Sequence, residues 1–414
     1  MKATEVFTPG GFPVHTLVED HLLVKQKQLT DALEMGTMLV SISGPSKSGK
    51  TVFVKKVLGS ENLIEITGAG IQSVNDLWMR VFDILGTPVT QTRSLTGATT
   101  FSGAGKVAAQ AGVIFAKGAV EGTITGGYTK SDQTSETYAI DPLQLLKSEI
   151  GGTDFVIFID DFHYINRDVQ AEIARQIKDA IAYGCKFICA SVPYHSDDII
   201  RGNADLRGRI FNIDFDYWDV NNLKLIAEKG FKLLNVEPEA NVIENLVNES
   251  AGSPQLMQYL CLNSCFELNA RSNTSPLVAY PNNPDVLERV CKRTLLSADY
   301  SSIVDKMKEG PKVRGSDRKS YLSKEGWQGD VYIYLLKAIA LNPPTLTFRY
   351  ADLVSRVSQL CHSESPSGSS ITSACHYSTS IANSAANNSI IEWDQENDVL
   401  DIRDPYLLFY LRWF

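Results

Sequence analysis

Residues 44–51 read Gly-Pro-Ser-Lys-Ser-Gly-Lys-Thr and directly follow an apolar run, residues 38–42. This order leaves a chain few ways to fold. The run is short enough for a buried strand, and the GxxxxGKT spacing belongs to a loop between a strand and a helix. Gly44 and Gly49 let the backbone curl, so that successive N–H groups converge where anionic oxygen is attracted. Lys50 adds an ammonium aimed at β and γ phosphates, and Thr51 a hydroxyl suited to Mg²⁺. A helix starting near Lys50 adds its positive end. Gly44, Pro45, Ser46, Lys47, Ser48, Gly49, Lys50 and Thr51 are thus candidates to hold the phosphates of a nucleotide.

Such a loop needs an acid at the end of a second apolar strand. Residues 155–161, Phe-Val-Ile-Phe-Ile-Asp-Asp, supply it. Asp160 is the candidate Mg²⁺ ligand, directly or through water. Asp161 is the candidate to orient an attacking water, its alternative being a helix cap or a solvated acid. His163 reads as a structural contact rather than a base. Ser191 ends the next apolar run, 186–190, where a small polar side chain could sense a terminal phosphate or simply close a strand. Strand-like runs at 38–42, 63–66, 155–159 and 186–190 alternate with helical periodicity at 74–85 and 169–183. That alternation predicts an α/β core: a parallel sheet covered by helices on both faces.

Beyond Asp219 the pattern is all-helical at 220–234, 239–250 and 254–268, then polar and loop-like at 269–284. Residues 300–326 are charged and read as a connector. Helices at 330–340, 350–360 and 371–386 precede two short runs, 390–393 and 399–402, that flank a turn. Three helices and a hairpin match a winged helix. The expected domains are a nucleotide-binding core at 1–215, a helical lid and connector at 216–325, and a winged-helix domain at 326–414. The apolar end, 404–414, is expected to pack into a core.

Together, the phosphate loop, the acidic strand with its Asp-Asp-Phe-His sequence, Ser191 and the segment 205–226 resemble the AAA+ and STAND branch of P-loop ATPases. The lid with Gly252-Ser253-Pro254 and the terminal winged helix resemble those of origin-recognition ATPases. The resemblance implies an αβα P-loop core, ATP and Mg²⁺ as ligands, and hydrolysis of ATP to ADP and phosphate. It places Val18 against the adenine and Pro254 at a lid helix facing the nucleotide. Arg207 and Arg209, with Arg201, lie where an arginine finger would sit, surface ion pairs being their alternative. Asp161 stands where most AAA+ proteins have Glu, which implies slow or partner-stimulated turnover. The lid helix opens without the Arg many relatives carry there. A homo-oligomer acting as a switch on a protein effector is implied, as in bacterial antiviral defence. The alternatives are a DNA-directed loader or transposition-type regulator, and a nucleotide-binding scaffold without turnover.

Charge bears on these alternatives. Lys and Arg number 39 against 48 Asp and Glu, a net charge of −9, so any nucleic-acid contact would be a local patch. Residues 367–388 contain no Lys or Arg, and 390–402 carry five acids and no base. Phosphate attraction needs Lys and Arg, so DNA binding through this face is disfavoured. The connector at 306–324 is the richer place for an anionic contact. A Gly- and Ala-rich insertion near 95–130 reads as a loop, a self-association element or a membrane contact. The seven scattered cysteines read as buried thiols of a reducing compartment. No run is long enough to span a membrane, and a cytoplasmic location is expected.

Overall fold

The computed structural model describes residues 1–94, 99–100, 135–139, 141–192, 206, 208–274, 276–297, 299–312, 318–386 and 389–414. Contacts among them divide the chain into two units. One comprises residues 28–42 and 55–213, the other residues 1–27, 43–54 and 214–414.

The first unit is built on a sheet of five strands. These are β1 (Leu39–Ser43), β2 (Leu63–Thr67), β3 (Val156–Asp160), β4 (Lys186–Ser191) and β5 (Ile210–Asp214), parallel and in the order β2-β3-β4-β1-β5. Ser43 and Asp214, the last residues of β1 and β5, count with the second unit. The register pairs Thr67 with Asp160 and Ile159 with Cys189. Strands covered on both faces read as continuous apolar runs, and Ile157, Phe158, Ile159, Phe187 and Ile188 are fully buried. Helices Val74–Leu85, Pro142–Ile150 and Arg167–Ile181 belong to the unit, as does helix Leu23–Met35 from Gln28 on. The first is bounded as its sequence dictates. Ser73 and Asp76 form a capping box, and Gly86 ends it in the left-handed conformation. The Gly- and Ala-rich insertion lies outside the described residues apart from Thr99–Thr100. That pair and Ser135–Ala139 flank Thr90–Ser94 in an antiparallel sheet.

In the second unit, residues 44–49 lead into helix α1 (Lys50–Leu58), whose residues from Lys55 on count with the first unit. Helices Val220–Leu233, Val242–Ser250, α2 (Pro254–Glu267) and Pro284–Leu295 enclose one core. The chain's first residues join it: Ala3, Val6, Phe7 and Val18 are buried there. A Cβ on Gly230 would stand 2.2 Å from the Phe7 ring, so only glycine admits that contact. The polar stretch expected to be a loop carries a short strand, Val278–Tyr280, parallel to Val236–Pro238.

A second core lies under helices Val331–Ile339, Tyr350–Leu360 and Gly368–Ala386 and a three-stranded antiparallel sheet. Its strands are β6 (Thr347–Arg349), β7 (Ile391–Asp394) and β8 (Val399–Ile402), in the order β6-β8-β7. The connector carries a helix that its charged composition does not announce. Within it, helix Ser301–Glu309 buries Val304 and Met307, two apolar positions that the surrounding charge obscured. Arg318 donates to Glu309 O and to Asp330 at 2.6 Å, and Lys319 pairs with Glu364, so these two cations are engaged within the chain. The last helix, α3 (Pro405–Trp413), serves both cores: Tyr406 and Phe409 enter the first, Leu407, Leu408 and Tyr410 the second.

All seven cysteines are buried and unpaired. Burial raises their thiol pKa values, Cys185 to about 11 and Cys265 and Cys375 to about 12. Among the described residues, no helix is long and apolar enough to cross a membrane.

Candidate functional site

The phosphate loop is held at its start by Ser43, which is tied to Asp214 and Phe215. Ser43 Oγ donates to Asp214 Oδ1 at 2.7 Å, and Phe215 N donates to Ser43 O at 2.7 Å. Gly44 packs directly on Phe215. A Cβ there would come within 2.4 Å of Phe215 Cβ and 2.8 Å of its carbonyl oxygen. Gly49 takes φ +97°, and Phe53 N donates to Gly49 O at 2.9 Å as α1 begins. Lys50 Nζ donates to Gly44 O and Pro45 O, both at 2.8 Å, which turns the ammonium into the curl of the loop. Ser48 is buried, and its Oγ has no partner among the described residues. Its carbonyl accepts from Trp218 Nε1 at 2.9 Å. Lys47, at the crown, has φ +62° and forms an ion pair with Asp404.

These features fit a phosphorylated ligand. An ammonium inside the curl, an orphaned buried hydroxyl and the N–H groups opening a nine-residue helix all offer hydrogen to anionic oxygen. Thr51, the helix's second residue, is half-buried and carries the hydroxyl a hard cation would use.

Beside the loop, Trp218 also meets His21 edge-on, ring centroids 4.4 Å apart. Neither His21 ring nitrogen has a partner among the described residues, and burial holds its pKa below the usual histidine value. Val18 is buried in the helical core. Nearby Thr16 is tied down, its hydroxyl donating to Val6 O at 3.2 Å and accepting from Gln258 at 2.6 Å. Pro254 is the first residue of α2. Ser253 caps that helix by accepting from Leu256 N at 3.2 Å, and Gly252, at φ +81°, precedes it against Tyr217.

In the other unit, Asp160 closes β3 and its Oδ1 accepts from Asp161 N at 2.9 Å. Asp161 takes φ +54° and leads into the short turn Phe162–Tyr164. Gly68 makes the turn possible. A Cβ at Gly68 would stand 2.4 Å from Asp161 O, and its N–H donates to Asp160 O at 2.7 Å. Gln170 holds the turn's far side, donating to Phe162 O and Ile165 O. The His163 ring lies against the Tyr164 ring at a 34° tilt, centroids 4.4 Å apart. Ser191 ends β4 at 3% exposure, its Oγ without a partner among the described residues. Parallel strands β3 and β4 thus end with Asp160 and Ser191 at the same, carboxyl-terminal end of the sheet. Arg209 is exposed, its backbone O accepting from Leu39 N at 2.9 Å. Arg201 and Arg207 lie outside the described residues.

Three groups escaped the sequence reading: His21, Trp218 and Asp404. Asp404-Pro405 signals a helix start, but its ion pair with a residue 357 positions away has no local signature.

No protein-family profile matches the chain, and no curated protein matches it. Among solved structures, the Walker-type ATPase PABY2304 of Pyrococcus abyssi is similar over 94% of this chain and 95% of that one, with a TM-score of 0.50 and 14% identity. The chain has the fold of a Walker-type P-loop ATPase. ORC2 of Aeropyrum pernix, in ADPNP–ADP complexes, is also similar, at TM-score 0.48 and 11% identity over 98% of this chain and 96% of that one. Cdc6p from Pyrobaculum aerophilum is similar at 0.45 and 12% over 99% and 97%. At 14% identity the likeness to PABY2304 carries the fold alone, and the chemistry rests on this chain's own residues.

Proposed function

We propose that this protein is a Mg²⁺-dependent ATPase whose nucleotide cycle drives a switch or assembly acting on a protein partner. The observation that carries the reading is the phosphate loop, with Lys50 turned into a curl shaped by Gly44 and Gly49 and with a Ser48 hydroxyl that has no partner among the described residues. In this reading the loop N–H groups and Lys50 bind the β and γ phosphates. Thr51 and Asp160 are the Mg²⁺ ligands, and the ion when bound neutralises charge on the phosphates. Asp161 orients water and takes its proton as the water oxygen bonds to the γ phosphorus and the bond to ADP breaks. Ser191 senses the γ phosphate, and Arg207 or Arg209 serves a neighbouring subunit's site. Val18 and Pro254 border the nucleotide. The domain division into core, lid and winged helix belongs to the same reading. An effector of the kind found in antiviral defence rests on the family resemblance alone.

Acidity supports a protein partner over DNA, with one adjustment from the structure. Arg403 pairs with Glu392, and with Asp401 at 3.0 Å, so one positive charge is shared by two of the five acids. Asp394, Glu396 and Asp398 remain at the β7–β8 turn.

The test compares wild type with Lys50→Ala and Asp161→Ala for binding of a fluorescent ATP analogue, phosphate release, and mass by light scattering with ATP. Lys50→Ala is expected to abolish binding. Asp161→Ala is expected to bind but to lose on the order of 100-fold in turnover. Binding without turnover in wild type, alone or with its partner, would leave the scaffold reading. DNA binding that requires ATP and weakens with salt would establish the DNA-directed one.

A further inference from the structure

Lys47 occupies the crown of the phosphate loop, three residues before Lys50, with φ +62°. A long side chain is disfavoured there, because its Cβ crowds the backbone, and such a conformation persists only where its surroundings over-determine it. The surroundings come from the chain's far end. Lys47 Nζ lies 2.9 Å and 3.2 Å from the two Asp404 carboxylate oxygens and 4.3 Å from the centroid of the Tyr406 ring. Asp404 is itself fixed. Tyr300 Oη donates to it at 2.6 Å, and Tyr406 N donates at 3.0 Å as Asp404 caps α3. The carboxylate is buried, which strengthens its hold on the ammonium.

We propose that Asp404 is a positioning residue of the nucleotide site, acting through Lys47. By pinning the ammonium, it holds the Lys47 backbone in the left-handed conformation that the loop needs to present its N–H groups to phosphate. The strain is then met by folding rather than by nucleotide binding, and affinity gains accordingly. This rests on the nucleotide-site reading of residues 44–51 and adds a residue to that site from the C-terminal region, some 350 positions away.

The test uses the full-length protein and equilibrium binding of a fluorescent, non-hydrolysable ATP analogue. Asp404→Asn keeps the helix cap through its amide oxygen and sets an NH2 beside Tyr300, whose hydroxyl can accept from it, but removes the charge. It is expected to weaken binding about tenfold, the scale of one released backbone strain, and to raise KM for ATP more than it changes kcat. Lys47→Ala, which keeps a Cβ but has no ammonium, should weaken binding equally. Lys47→Gly removes the Cβ conflict, so in that background Asp404→Asn should add nothing. Thermal melts monitor folding of each variant. Unchanged affinity in Asp404→Asn, or a loss that persists in the Lys47→Gly background, would overturn the proposal. Should Asp404→Asn fail to fold, Lys47→Ala against Lys47→Gly decides: equal affinities overturn it. Wild type that binds no analogue, or binding that survives Lys50→Ala, would instead overturn the nucleotide-site reading itself.

Discussion

His21 meets Trp218 edge-on, and Trp218 in turn holds Ser48 of the phosphate loop. Desolvation is the largest influence on His21, and it lowers the pKa from 6.5; Lys25 acts the same way, while Asp219 and Asp20 oppose. The unfolded chain therefore takes up this proton more readily than the folded one. The resulting contribution to stability is complete above about pH 6.5 and is lost as pH falls toward the folded pKa. Melting temperature should drop between pH 7.5 and 5.5 more steeply in wild type than in His21→Gln. Equal slopes would show that His21 does not titrate differently on folding. This histidine was not legible as a loop neighbour, since its partner lies 197 positions away. Gly44 and Gly49 were legible, because their spacing around Lys50 has one physical explanation. Gly68 was not. Its need arises only where β2 passes the turn at Asp161, a non-local encounter.

Elements were legible wherever one periodicity dominated. Helices Val74–Leu85 and Tyr350–Leu360 have the boundaries their apolar spacing implied. Helix Ser301–Glu309 and strand Val278–Tyr280 were missed because charge or turn residues outnumber the few apolar positions that fix them. Contacts between elements are the least legible. Arg412 of α3 pairs with Glu249 at the end of helix Val242–Ser250, N–O distance 2.7 Å, both side chains under a tenth exposed. Trp413 Nε1 adds a third donor to Glu249 at 2.7 Å. Arg412→Met leaves that carboxylate buried with one side-chain donor and should cost about 3 kcal/mol in a urea titration. Adding Glu249→Met should restore most of the loss. If the double variant is as weak as the single, the pair matters for its packing rather than its charge.

At the scale of the whole chain, the three buried clusters have different builders. The sheet core draws on residues between Leu39 and Leu206, while the other two share α3. The cysteines are divided among them. Cys185 and Cys189 lie in the sheet core, Cys261, Cys265 and Cys291 in the helical core, and Cys361 and Cys375 in the C-terminal core. Thiols this buried react only when their surroundings open, because burial both shields the sulfur and raises its pKa, and opening relieves both. The chain therefore carries a set of built-in reporters, one group per core. Pulsed alkylation read by peptide mass should label Cys261, Cys265 and Cys291 together with Cys361 and Cys375, because loss of α3 opens both of their cores. Cys185 and Cys189 should follow their own time course. A single rate for all seven would mean that the three cores melt as one. Two rates would turn seven apparently inert sulfurs into a map of which part of the molecule yields first.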